Sequence, residues 1–162
     1  ARYLATRYET TTPVDSIICL DGLEVVGAFL AEELAKAGVL SMNAHKTIYI
    51  VTPEFNGNGQ LMFRDNIQHM VRNRNVVILM GSITTGETLR KCIQSVLYYG
   101  GTIQGVSSIF SAINKVAGMD INSVFYKKDV PNYESYKPDE CPMCKKKEKL
   151  DAIVNGYGYS KL

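Results

Sequence analysis

The run with the most evident chemistry in this sequence is Val76 to Leu89, which reads VVILMGSITTGETL. A stretch of large apolar residues gives way to small and hydroxylated ones, and a helical pattern follows. Backbone N–H groups at a helix start are unpaired and carry partial positive charge, so such a junction accepts an anion. Thr84, Thr85 and Thr88 add hydroxyl donors, and Gly86 lets the backbone approach a phosphate closely. The phosphate-binding candidates are therefore Ser82, Ile83, Thr84, Thr85, Gly86, Glu87 and Thr88. A threonine N-cap with a glycine in a tight turn accounts for any one of them, and less well for the whole cluster.

Other groups need weighing beside this run. Asp21 and Glu24 are two carboxylates that follow an apolar stretch and could face a ligand there. Capping of the next helix by Asp21 is the plainer alternative. Cys141 and Cys144 have the spacing of half a zinc site, but no second CxxC exists, and neither His45 nor His69 is placed to complete one. A paired thiol turn closing the tail explains them as simply. Cys19, in an apolar run, and Cys92, on the apolar side of a predicted helix, read as buried free thiols. That usage fits a reducing compartment better than a disulfide scaffold. Lys145, Lys146, Lys147 and Lys149 form a run broken by Glu148, which reads as a solvated face.

The elements that must position these groups alternate. Val14 to Leu20, Thr47 to Val51, Val76 to Met80 and Thr102 to Ser111 read as strands, with a short fifth at Val124 to Tyr126. Between the first two, Val26, Phe29, Leu30, Leu34 and Ala37 mark one helix face, with Gly38 as its stop. After the third strand, Leu89, Cys92, Ile93 and Val96 mark another, ended by Gly100-Gly101. Pro53 to Gln60 reads as a loop, Arg64 to Val71 as a short helix, and Lys147 to Val154 as a second short helix. Strands alternating with helices predict an α/β fold with a mainly parallel twisted sheet flanked by helices.

Composition bounds the function. The 162 residues suffice for a single domain, 1–162, with a short CxxC-containing tail from about residue 136. Hydrophobic residues at 46% and charged residues at 21% are ordinary for a globular protein. A net charge of +2 argues against a nucleic-acid or acidic-membrane partner. No apolar run reaches spanning length and no signal-peptide pattern opens the chain, so a cytoplasmic home is expected. The chain begins at Ala1, which leaves open that residues precede it.

VVILMGSITTGETL resembles the motif by which type I phosphoribosyltransferases bind phosphoribosyl pyrophosphate (PRPP), most closely at Ile83-Thr84-Thr85-Gly86 and Thr88. Val14 to Leu34 is similar to the family's first strand, pyrophosphate loop and following helix. Gly100 to Val106 (GGTIQGV) resembles a step of the orotate phosphoribosyltransferases, and Tyr136 to Lys145 with CPMCK resembles the tail of some members of that branch. These matches run in the family's order over about residues 14–145. The resemblance implies the type I phosphoribosyltransferase fold, with Ser82 to Thr88 on the 5′-phosphate and Asp21, Gly22 and Leu23 on the pyrophosphate. It further implies Mg2+ with PRPP, a homodimer, and transfer of phosphoribose to a nitrogenous base, orotate being the nearest analogue.

The chain departs from that pattern in several places. Met80 and Gly81 stand where the family carries two carboxylates that hold the ribose hydroxyls. Hydrogen bonds to charged groups contribute about 1.5–3 kcal/mol each, so losing two costs on the order of a hundred- to ten-thousand-fold. Val51 to Glu54 has no basic residue where the orotate branch carries Arg and Lys; Arg64, His45 and Lys46 are the nearest. Few residues precede the first strand, where the orotate branch builds a hood over the base. Glu87 would repel a phosphate unless it turns to solvent. Two functions follow: a phosphoribosyltransferase, or a non-catalytic module that binds PRPP or a nucleotide.

Overall fold

Apolar runs separated by amphipathic helices can bury both faces only by pairing side by side, with a helix crossing over between partners. The computed structural model, which describes residues 1–8, 11–36, 38, 41–137, 139–155 and 158–162, has that arrangement. A short helix α1 (Arg2–Ala5) precedes β1 (Ser16–Cys19), α2 (Glu24–Lys36) and β2 (Tyr49–Val51). A hairpin of β3 (Glu54–Phe55) and β4 (Leu61–Met62) leads to β5 (Asn75–Ile83), α3 (Glu87–Tyr98) and β6 (Thr102–Ser111). Then come β7 (Lys115–Val116), β8 (Met119–Tyr126), the single turn α4 (Pro142–Lys145) and a hairpin of β9 (Ala152–Asn155) with β10 (Gly158–Lys161).

The main sheet has the order β2-β1-β5-β6-β8-β7. All its pairings are parallel except β7 against β8. Side-chain alternation divides β5 between two cores. Val76, Ile78 and Met80 pack with Leu89, Cys92 and Val96 of α3 on one face. Val77 and Leu79 pack with Leu30 and Leu34 of α2, and with Leu4 and Ala5 of α1, on the other. Each fully buried Leu, Ile or Val contributes about 1.5–3 kcal/mol, so both helices are held where β5 directs them.

Several expectations change. The strand predicted over Val76 to Met80 continues through Gly81 and Ser82 to Ile83. The predicted loop Pro53 to Gln60 is most of a hairpin: the Asn56 side-chain oxygen accepts from the Asn58 and Gln60 amides at 3.0 and 2.9 Å, closing the turn. Arg64 to Val71 yields only a 3₁₀ turn at Gln68–Met70. The helix predicted over Lys147 to Val154 is absent; Lys147 adopts φ 54°, which ends α4, and Ala152–Asn155 pairs as a strand. Phe29, placed on the inner face of α2, is 58% exposed, because Gly27, Leu30 and Leu34 are the residues that meet the sheet. The fifth strand is longer than Val124 to Tyr126, starting at Met119. Ala37, Pro138 and Tyr157 lie outside the described residues.

Candidate functional site

From β1 the chain crosses through α2 to β2 on one side, and from β5 it crosses through α3 to β6 on the other. The order therefore reverses between β1 and β5. Ligands of such sheets bind outside the carboxyl ends of the strands at that reversal. The two segments that meet there are the turn after β1, Asp21 to Leu23, and the loop after β5, Thr84 to Gly86. The turn after β1 is tied to β5 itself, where the Gly81 amide donates to Asp21 Oδ2 at 2.9 Å.

The loop after β5 leaves the start of α3 open at its backbone. Gly86 is the N-cap of α3 at φ 81°, and no side chain caps the helix, so its first amides keep no capping acceptor. Thr84 and Thr85 are half-buried and Thr88 is exposed. The threonine N-cap considered from sequence is not formed. Gly86 has a further reason for its identity: a Cβ there would lie 2.7 Å from Val116 Cγ2 and 3.1 Å from Ile113 Cδ1. The missing side chain leaves room for the β6–β7 connection to close against the loop.

Individual candidates separate by geometry. Ser82 is exposed at the end of β5, but the Ile83 side chain is buried in the α3-side core and its carbonyl accepts from the Ala112 amide at 2.8 Å. Only backbone at Ile83 can meet a ligand. Glu87 is exposed in the first turn of α3, where a carboxylate favours the helix dipole. Asp21 and Gly22 are exposed, whereas Leu23 is half-buried against the α2-side core. The capping role for Asp21 is corrected: at φ 59°, tolerable for Asp, its carboxylate turns across to β5 and not to the start of α2. Glu24 accepts instead from Thr52 Oγ1 at 2.9 Å.

Met80 and Gly81 differ in what they leave. The Met80 side chain is 3% exposed inside the α3-side core, so a carboxylate there would be buried without a partner. Gly81 lies on the α2 side of β5, where a Cβ would sit 3.1 Å from Asp21 Cβ and 3.3 Å from its Oδ2. The side chain of residue 21 fills the space beside residue 81.

The basic candidates do not converge on this point. Arg64 donates to Glu54 Oε2 from Nε at 3.0 Å and from a terminal nitrogen at 2.6 Å, closing the flank of the β3–β4 hairpin. That hydrogen bond holds the Glu54 carboxyl below its usual range. His45 and Lys46 are exposed before β2. The sequence reading missed Lys127 and Lys128, which follow β8 and line a groove of about 680 Å³ with Asn114, Asp120 and Tyr126. Their signal was present in the sequence, since they directly follow a strand of a parallel sheet. A second groove, of about 720 Å³ between the β3–β4 hairpin and α3, holds no residue of the switch point; it is lined by Asn56, Gln60, Lys91 and Tyr98 among others. Cys141 Sγ accepts from the Cys144 amide at 3.4 Å, the thiol turn expected for the tail.

Comparison with known proteins supports the architecture at low sequence identity. No family model matches the chain, and neither does any curated protein sequence. Solved structures do. The hypoxanthine phosphoribosyltransferase of Trypanosoma cruzi superposes with a TM-score of 0.57 at 12% identity, over 81% of this chain and 75% of that one. The adenine phosphoribosyltransferase of Rhodothermus marinus gives 0.54 at 14%, over 77% and 76%. A hypoxanthine-guanine phosphoribosyltransferase of Bacillus anthracis gives 0.52 at 16%, over 82% and 76%. The chain has the type I phosphoribosyltransferase fold: a mainly parallel six-stranded sheet flanked by helices. No helix among the described residues is long and apolar enough to cross a membrane.

Proposed function

We propose that the chain is one phosphoribosyl-binding unit that takes PRPP or a nucleotide at the switch point between β1 and β5. The observation that carries this is the uncapped start of α3, led in by Thr84, Thr85 and Gly86 and set beside Asp21. The amides of the first turn and the threonine hydroxyls receive the 5′-phosphate, while the Asp21–Leu23 turn lies where a diphosphate would extend. The chemistry that suits such a site is transfer of phosphoribose to a nitrogenous base with release of pyrophosphate, orotate being the nearest analogue. The protein's part in it is positioning and charge stabilisation.

Magnesium fits this site only as a companion of the ligand. Among the described residues, no three His, Cys, Asp or Glu side chains gather to hold a metal. Asp21 is a single exposed carboxylate, and Mg2+ commonly takes one or two carboxylates plus substrate phosphates and waters. The Mg2+ would supply charge neutralisation on the diphosphate; Asp21 would be the residue to face it.

The second reading is a non-catalytic module that senses PRPP or a nucleotide, and the Met80-Gly81 pair favours it. A homodimer accords with the apolar surface that Val25 and Phe29 expose on α2. A cytoplasmic location accords with four free cysteines. Calorimetry with PRPP–Mg2+, followed by pyrophosphate-release assays with orotate, hypoxanthine and adenine, separates the readings. Release with any base supports the transferase. Tight binding with no release supports the module, and no binding of any phosphorylated ribose removes both.

A further inference from the structure

The four thiols of the chain stand in two environments. Cys19 is buried in the α2-side core and Cys92 in the α3-side core, where burial keeps each protonated and inert. Cys141 and Cys144 are half-exposed and exposed, and they share the single turn of α4. The Cys141 carbonyl accepts from the Lys145 amide at 3.1 Å, and its Sγ accepts from the Cys144 amide at 3.4 Å. Pro142, the first helical residue, fixes the backbone between them. Residues three apart across one helical turn have Cα atoms about 5 Å apart, inside the span of about 4.4–6.8 Å that a disulfide bridges. Among the described residues, no third His, Cys, Asp or Glu gathers with the pair to hold a metal.

The two thiols are also unlike each other. The Cys144 amide, with the Cys144 thiol beside it, holds the Cys141 thiol below its ordinary range, and Glu148 opposes this more weakly. The same contact pushes Cys144 up. One sulfur is therefore readied to attack, with a second one turn away to displace it. Lys145, Lys146, Lys147 and Lys149 are all exposed around the pair, which favours the approach of a negatively charged reactant.

We propose that Cys141 and Cys144 form a thiol–disulfide exchange site that reacts with anionic low-molecular-weight disulfides and closes reversibly to an intramolecular disulfide. Cys141 thiolate attacks one sulfur of the small disulfide; that S–S bond breaks, a mixed disulfide forms at Cys141, and one small thiolate leaves and takes up a proton. Cys144 then gives its proton to solvent and attacks Cys141 Sγ. The Cys141–Cys144 bond forms and the second small thiol departs. Two electrons pass from the chain to the small disulfide, and excess small thiol runs the steps backward. This inference is independent of the phosphoribosyl reading.

The test mixes the reduced chain with oxidised glutathione, quenches with acid, and follows mass and mapped peptides with time. The parent should lose two hydrogens at the 141–144 peptide, keep no glutathionyl group, and regain both thiols in excess reduced glutathione. Cys144→Ser should stop at the mixed disulfide, at a rate within about threefold of the parent. Cys141→Ser keeps an oxygen to accept from the Cys144 amide, so the turn stands, and it should react at least about tenfold more slowly. Oxidised glutathione should outpace the cationic disulfide cystamine, by a margin that shrinks with added salt. Equal rates in the two single variants would overturn the roles of the two thiols. A parent that stays glutathionylated, or that cross-links two chains, would overturn the intramolecular closure. Faster reaction with cystamine would overturn the anionic class, and zinc in fixed ratio to the purified chain would overturn the exchange site itself.

Discussion

The two segments meeting at the switch point meet different requirements. The loop after β5 offers backbone amides and a left-handed Gly86, so what it can bind is set by main-chain shape. The turn after β1 offers one carboxylate, a group that can be delivered from any strand end reaching the same point. Main-chain features must stay where the fold puts them.

The sharpest way to break this comparison is to force an acid back onto β5 at its buried position. Met80→Asp places a carboxylate in the α3-side core without a partner and should cost about 3–5 kcal/mol, read from the urea midpoint. If Met80→Asp were tolerated, the core would not be what excludes an acid from that position. Gly86→Ala comes next. A non-glycine residue at φ 81° and a Cβ 2.7 Å from Val116 should together cost about 2–4 kcal/mol, and phosphate affinity should fall with the distorted loop. Gly81→Ala is the smallest structural change. Asp21 is exposed and can yield, so stability should shift by less than about 0.5 kcal/mol.

Each half of the site also has a reporter thiol. Cys92 on α3 lies behind the loop after β5, and Cys19 ends β1 just before the Asp21 turn. Burial pushes Cys92 up to about 12, and burial with a smaller contribution from Glu24 does the same for Cys19. Both should therefore resist alkylation at pH 8 in the folded protein, while the exposed Cys144 and half-exposed Cys141 react. The sign for stability follows from native thiols that hold their protons longer than unfolded ones. Their contribution is full below the ordinary thiol value of 9.0 and is lost as pH climbs toward about 12. Mass spectrometry of alkylated protein, with and without denaturant, reads the first effect, and thermal melts from pH 8 to 11 read the second.

Much of this was legible in the sequence, for local reasons. The continuous apolar run before Gly81, the threonines and the 3.6-residue period of Leu89, Cys92, Ile93 and Val96 each depend on neighbours along the chain. The role of Gly105 was legible only as a match to GGTIQGV; structurally, its bare Cα makes room for the Tyr8 ring, whose hydroxyl pairs with Ser107 Oγ at 2.8 Å. The Asp21–Gly81 contact could not be read, because it joins residues 60 apart through strand pairing. The outward turn of Phe29 was hidden because Gly27, with no hydrophobic signature, is the residue that meets the sheet. The place of Lys127 and Lys128 at the end of the sheet depends on where β8 ends, at Tyr126.

The central claim is that the start of α3 receives the phosphate of a phosphoribosyl ligand. Amide NMR during titration with ribose 5-phosphate tests it most directly. The account predicts the largest saturable shifts at the amides of Thr84 to Thr88 and at Gly81, with little change at Asn58, Gln60, Lys91 and Tyr98 in the groove of about 720 Å³. Saturable shifts centred on that groove, with the Thr84 to Thr88 amides unmoved, would contradict it.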